Sequence, residues 1–400
     1  MTQPAPHNRD LLRTFAPPVM EARRWVAEAH LPPDRPLLNF AQAAPTDPPP
    51  EGLRQALADA VLHTPDSHLY GPVLGLSELR SEVATQWSAA YDAAIDPARV
   101  GITAGCNQAF CAAIQSIAAA GDNVILPAPW YFNHRMWLAM QGIEARVLMC
   151  VGTMVPDPDA AAALVDNRTR AIVLVTPNNP TGAEYPSTVL GALYDLAQAR
   201  GLALIVDETY RDFDSRSGAP HDLFHRDIEG EGDTLIHLYS FSKAYRLTGH
   251  RVGAVICHPD RLAQIEKFLD TVTICPGSLG QIGALWGMRN LGQWVAGERD
   301  EILARRDAVA QGIAALPGWR LAGAGAYFAY VAHPFGPPSD QIARRLVSEA
   351  GVLILPGTMF APRADEGGDG SAERHLRIAF ANGDVTAIGT LLERLSAWQP

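Results

Sequence analysis

The chain has no apolar run of about eighteen residues, the length a membrane-crossing helix needs, so no membrane span is expected. Its start, MTQPAPHNRDLLRTFAPP, carries prolines and charges where a signal peptide needs an apolar segment, so the protein is expected to stay in the cytoplasm. Cysteine is scarce. Cys106, Cys111, Cys150, Cys257 and Cys275 are odd in number and show no CxxC spacing, so neither a disulfide framework nor a zinc site is expected, and no metal is assigned. Long blocks of like charge are also missing. A net charge of −11 without a basic arm argues against a nucleic-acid surface, so any anion must be held by a local pocket of cations and amides. The absence of a fixed-period repeat removes solenoids and propellers.

What is present is an ordinary globular composition, 48% apolar and 19% charged. With 400 residues the chain exceeds what one hydrophobic core supports, so a large domain with a smaller one is expected. The middle of the chain alternates short apolar runs with helical patterns. The runs at 100–103, 122–128, 145–150, 170–175, 202–207, 234–239 and 251–257 are nearly all apolar rather than alternating, as strands covered on both faces are. Stretches such as NQAFCAAIQSIAAAG and PSTVLGALYDLAQARG read as helices, the second stopped at Gly201. This alternation predicts an α/β fold with a mostly parallel central sheet flanked by helices. From about residue 286 a long helical pattern leads into GAYFAYVAHP, GVLILPG and HLRIAFA, which reads as a smaller α/β C-terminal domain. The expected division is an N-terminal arm with part of the small domain at 1–44, a large domain at 45–290 and the small domain at 291–400. Residues 362–375, glycine-rich and charged, read as a mobile surface loop, and residues 1–10 as poorly ordered.

In open α/β sheets, ligands sit beyond the carboxyl ends of the strands. TAGCN, PAPWY, TPNNPTG, DETY and SFSK follow successive predicted strands, so Asn179, Asp207, Tyr210, Ser240, Ser242 and Lys243 gather at one edge. Singly, NNPTG is a turn, DETY a helix start and Lys243 a surface cation. Together they suit one cofactor. A pocketed lysine can lose its proton and attack a carbonyl to form an imine, which is how pyridoxal 5'-phosphate (PLP) is held. The cofactor's pyridine nitrogen needs a carboxylate, and Asp207 can serve. Its phenolic oxygen needs donors, which Asn179 and Tyr210 supply. Its phosphate needs amides at a helix start, hydroxyls and a guanidinium: the turn at Gly105, Ser240, Ser242 and Arg251 provide them.

These residues resemble the class I/II aminotransferases of PLP fold type I, the aspartate aminotransferase type, over most of the chain. The matching pieces are YGPVLGLSELR (70–80), TAGCNQAF (103–110), NNPTG (178–182), DETY (207–210), SFSKAYRLTGHRVG (240–253) and HLRIAFA (375–381). The spacing is similar too, 28 positions from Asn179 to Asp207 and 36 from Asp207 to Lys243. The resemblance implies a Schiff base on Lys243, which then shuttles the proton, with Asp207 on the pyridine nitrogen and Asn179 and Tyr210 on the phenolic oxygen. It also implies that Ser240, Arg251 and the amides of Cys106 and Asn107 hold the phosphate. Tyr131 would stack on the ring, with Trp130 as the alternative. From the resemblance alone, Arg377 clamps the substrate α-carboxylate. On the same ground Tyr70 crosses a homodimer interface to the neighbour's phosphate. Ala43 and Ala44 stand where a glycine-containing segment often lines the substrate pocket, and Cys106 and Asn107 also depart from commoner members. These departures bear on which substrate is used.

The expected reaction is transamination between an amino acid and a 2-oxo acid, with a lyase, decarboxylase or cyclase on the same fold as the alternative. Tyr239 and Lys243 form YxxxK, a short-chain dehydrogenase spacing, but no GxGxxG follows an early strand. A non-catalytic PLP-binding regulator would need a DNA-binding module, and none is found. No second arginine is assignable to a side-chain carboxylate, which favours a neutral, aromatic or broad donor range. Phe15, Trp25 and Tyr327 are weighed as pocket lining but read as helix or sheet core.

Overall fold

The computed structural model describes residues 7–32 and 35–399. The first strand, β1 (Leu38–Asn39), lies outside the main sheet. That sheet is built from β2 (Val100–Thr103), β3 (Asn123–Ala128), β4 (Glu144–Met149), β5 (Thr169–Val175), β6 (Ala203–Asp207), β7 (Leu235–Ser240) and β8 (Gly253–Ile256). The strands run in the order β2-β8-β7-β6-β5-β3-β4. Neighbours from β7 through β4 are parallel, and β8 alone is antiparallel to both its partners. Residues of β3, β6 and β7 are buried along their whole length, which is why these runs show no polar alternation. All seven predicted strands are found, within about two residues of their expected ends.

Helices cover both faces. The helix Cys106–Gln115 starts immediately beyond the carboxyl end of β2, and Ser187–Ala199 ends two residues before Gly201, whose φ of 63° gives the left-handed stop. The long helical pattern after 286 forms two helices, Ser278–Asn290 and Gly292–Ala315, with Leu291 between them. Asn290 and Gly292 are weak helix formers, which favours the break there.

A second, antiparallel sheet follows. Its strands are β9 (Arg320–Gly325) and β10 (Phe328–Ala332), then, past β11 (Val352–Leu353), β12 (Leu355–Pro356) and β13 (His375–Ile378), in the order β12-β13-β10-β9. GVLILPG holds two strands separated at Ile354: β12 joins this sheet, whereas β11 pairs in parallel with β1, Leu38 opposite Val352. The N-terminal stretch is thus tied to the C-terminal part. The turn after β5 also touches the second sheet closely, since a Cβ added to Gly325 would lie 2.1 Å from Gly182 O, and one on Gly182 would lie 2.2 Å from Gly325 N.

Two loop expectations need correction. In 362–375 the ends are anchored, with Ala372 buried, its carbonyl accepting from Ser339 Oγ at 2.8 Å, and His375 already in β13. At the start, Asn8 Oδ1 accepts from the Asp10 amide at 2.9 Å and caps a short helix, Arg9–Arg13. The expected disorder of residues 1–6 lies outside the described residues.

Candidate active site

A cavity of about 330 Å³ opens at the carboxyl edge of the central sheet, where Val175, Asp207 and Ser240 end β5, β6 and β7. Lys243 reaches it from the one-turn helix Phe241–Ala244, whose start is capped by Ser240 Oγ. Lys243 Nζ donates to Ala43 O at 2.6 Å and lies 6.0 Å above the Tyr210 ring. Burial, with the Arg251 and Arg377 charges, lowers its ammonium to about 8.

Asp207 is 3% exposed. Its Oδ1 accepts from the Thr209 amide at 3.0 Å and its Oδ2 lies 3.3 Å from His134 Nε2. Burial pushes the carboxyl up, but the His134 and Thr209 contacts outweigh it and hold the group below its ordinary value. His134 is itself fixed by stacking on Phe110, ring centroids 3.8 Å apart. Tyr131 Oη donates to Asn107 Oδ1 at 3.2 Å and accepts from Asn133 Nδ2 at 2.8 Å, and burial pushes its phenol up to about 12. Tyr210 is buried against Tyr327 and Phe328, which keeps its phenol protonated.

The far end of the cavity is a cationic cradle. Gly105 (φ 89°) precedes the helix Cys106–Gln115, and a Cβ there would lie 2.2 Å from Arg251 Nη2. The guanidinium and the helix start therefore meet only because this residue is glycine. Arg251 Nη1 donates to Thr248 O at 3.0 Å and to Ser242 Oγ at 3.4 Å. Cys106 lines the wall as a buried thiol whose ionisation burial and the Asp207 charge oppose.

Arg377, on β13, is 2% exposed. Nη1 donates to Asn179 Oδ1 at 2.9 Å, Nη2 donates to Ala41 O, and Nε has no partner among the described residues. Phe328 and Phe360 flank it at 5.0 and 4.7 Å. Burial lowers this guanidinium to about 10.

The structure therefore gathers Ala43, Cys106, Asn107, Tyr131, Asn179 and Arg377 around the same cavity as Asp207, Tyr210, Ser240, Ser242, Lys243 and Arg251, with Gly105 directly behind. Tyr70 is outside it and 81% exposed. Trp130 is buried without lining the cavity, Trp25 and Tyr327 sit in the core, and Phe15 is 39% exposed. Sequence reasoning missed His134, Thr209, Gln42 and Asn133, and also Pro17 and Val19, which bring the N-terminal segment to the rim. His134 had a legible signal, since it lies three positions after Tyr131, one helical turn. Pro17 and Val19 had none.

Residues 35–395 match the family described as aminotransferase class I and II. The chain is 30% identical over 349 residues to an arginine–pyruvate transaminase of Pseudomonas aeruginosa, covering 84% of this chain and 83% of that protein. It is 28% identical over 362 residues to an aromatic aminotransferase of Arabidopsis thaliana, 88% of each chain being covered. Among solved structures, a single mutant of Thermus thermophilus aspartate aminotransferase superposes with a TM-score of 0.87 at 25% identity, covering 98% of this chain and 99% of that one. The chain belongs to the class I and II aminotransferases. It is a transaminase with the aspartate aminotransferase fold.

Proposed function

We propose that the cavity holds pyridoxal 5'-phosphate and that Lys243 serves the transfer of an amino group between an amino acid and a 2-oxo acid. One observation carries this reading: a buried lysine lowered to about 8 shares a cavity with a buried, ionised Asp207 and a glycine-gated helix start beside Arg251. The donor set fits the cofactor. The helix start at Cys106 and Asn107, with Ser240, Ser242 and Arg251, would take the phosphate dianion. Asp207 would face the ring nitrogen, Asn179 and Tyr210 the phenolic oxygen, and Tyr131 the ring face.

When bound, the cofactor supplies an aldehyde for the amine and an electron-poor ring that takes up charge from the substrate α-carbon. The chain does the rest. Arg377, oriented by Asn179, would grip the α-carboxylate with its planar fork and fix which bond stands across the ring. Lys243, neutral in a useful fraction near pH 8, would take and return the α-proton. Tyr210, kept protonated by burial, would donate a hydrogen bond rather than carry charge.

The wider reading includes a homodimer in the cytoplasm, with Tyr70 reaching the partner's site. Leu62, Leu69 and Tyr70 are large side chains left 72%, 64% and 81% exposed, as residues covered by a subunit contact would be. The division into 1–44, 45–290 and 291–400 is part of it, supported by the β1–β11 pairing and the break at Leu291. The donor is proposed as neutral, aromatic or broad. The relatives' names span aromatic, aspartate, N-succinyldiaminopimelate, arginine and valine substrates, in keeping with a broad range, and no described residue of the cavity beyond Lys243, Arg251 and Arg377 is a cation.

Borohydride reduction of the protein loaded with PLP tests the site. The chain's lysines are Lys243 and the exposed Lys267, so the adduct is easily mapped. We expect it on Lys243 and its loss in Lys243→Ala. An adduct that survives this substitution, or ammonia or carbon dioxide release without consumption of a 2-oxo acid, overturns the reading.

A further inference from the structure

On the side of β6 opposite the cavity lies a buried polar cluster that the proposed reaction does not use. Glu208 directly follows Asp207 and is 2% exposed, and around it Tyr91, His221 and His237 are 1%, 2% and 0% exposed. All three converge on one oxygen. His237 Nε2 lies 2.7 Å and His221 Nε2 3.4 Å from Glu208 Oε2, which also accepts from Tyr91 Oη. His221 Nδ1 accepts from the Leu223 amide at 3.3 Å, so the ring carries a proton on Nε2, the nitrogen nearer the carboxylate. Burial pushes the Glu208 carboxyl up, yet the two rings hold it well below its usual range, while burial strips the extra proton from His237. The arrangement is a buried carboxylate hydrogen-bonded to a phenol and one imidazole, with a second imidazole 3.4 Å away.

The anchoring continues along the segment. Arg211 lies 4.1 Å over the Trp87 ring and 5.1 Å over Tyr91, and Asp212 accepts from Tyr239 Oη at 2.6 Å. Residues 208, 211 and 212 thus point into the cluster, whereas Asp207, Thr209 and Tyr210 line the cavity. A buried charge is expensive, and apolar packing would serve stability as well or better. What the cluster adds is direction: Glu208, the first residue past β6, is bonded to Leu238 O and turned away from the cavity that Asp207 lines, so holding its side chain limits how the end of the strand can tilt.

We propose that Glu208, held by Tyr91, His221 and His237, is the positioning residue that aims Asp207 at the cofactor's ring nitrogen. This rests on the PLP reading given above. The backbone around it is already pinned, Glu208 N to Leu238 O at 2.9 Å and Thr176 N to Asp207 O at 3.0 Å, so the remaining freedom is the tilt of the strand end. Glu208→Gln keeps the shape but puts an amide N–H among these donors, and the cluster must rearrange.

The test uses the apoprotein and two probes, pyridoxamine phosphate and its carbocyclic analogue with CH in place of the ring nitrogen, with binding read by calorimetry. In Glu208→Gln, and more weakly in Tyr91→Phe, affinity for pyridoxamine phosphate should fall by about tenfold or more, the cost of weakening one charge-assisted hydrogen bond. Affinity for the analogue should stay within about twofold. Equal losses for both probes, or none, mean a merely structural role and overturn the proposal. Should Glu208→Gln not fold, Tyr91→Phe decides alone by the same comparison. A wild-type protein that binds neither probe instead overturns the PLP reading itself.

Discussion

At the scale of single residues, the ionisation of Lys243 is the property that chemistry can read most directly. A lysine at 10.5 has about one neutral molecule in three thousand at pH 7, whereas one lowered to about 8 has about one in ten. Because the cation is the disfavoured form, deprotonation sets in earlier as pH rises. The rate at which the apoprotein captures pyridoxal phosphate should therefore climb from pH 6 and level off with a midpoint near 8. A midpoint near 10.5 would show that burial and the two arginines do not act on Lys243 as the geometry requires. Most of these residues were legible from the sequence, since lysine, aspartate and asparagine at strand ends carry their own chemical signal. His134 was legible only as a position one helical turn after Tyr131; its partnership with Asp207 shows only once its ring is seen 3.3 Å from that carboxylate.

At the scale of elements, the turn from β2 into the helix Cys106–Gln115 is the most constrained piece. Gly105 combines φ 89° with ψ 161°, backbone that side chains rarely adopt, and leaves no room between itself and Arg251. Gly105→Ala should cost about 1–3 kcal/mol in thermal or denaturant unfolding. It should also weaken pyridoxal phosphate binding by about tenfold or more, because the guanidinium must retreat from the helix start. Unchanged affinity in a calorimetric titration would show that the phosphate is held elsewhere. The strands around this turn were readable because continuous apolar runs leave a doubly covered strand as the simplest solution. The split of GVLILPG at Ile354 was not readable, since it depends on β1, more than three hundred residues away in the chain, offering a partner to β11.

For the whole molecule, the decisive contact lies between the turn after β5 and the second sheet. Gly182, in the turn that carries Asn179, touches Gly325 on β9 backbone to backbone, and β10 and β13 of the same sheet carry Phe328 and Arg377. Nothing in GAGAY distinguishes Gly325 from an ordinary strand glycine, so the sequence revealed two parts without revealing what holds them in register. Gly325→Ala should lower stability by about 2 kcal/mol, as overpacking does. It should also raise KM for the amino donor, because Asn179 and Arg377 are displaced relative to each other. A variant with wild-type melting and wild-type KM would show the contact to be incidental.

The backbone at 41–44 lends one carbonyl to each of two cations, Ala41 O to Arg377 and Ala43 O to Lys243. On the proposed function, an arriving carboxylate would evict the first, and an aldehyde condensing with the lysine would evict the second. Both guests would then tug on one short tether, and that tether runs directly into β1 and its seam with β11.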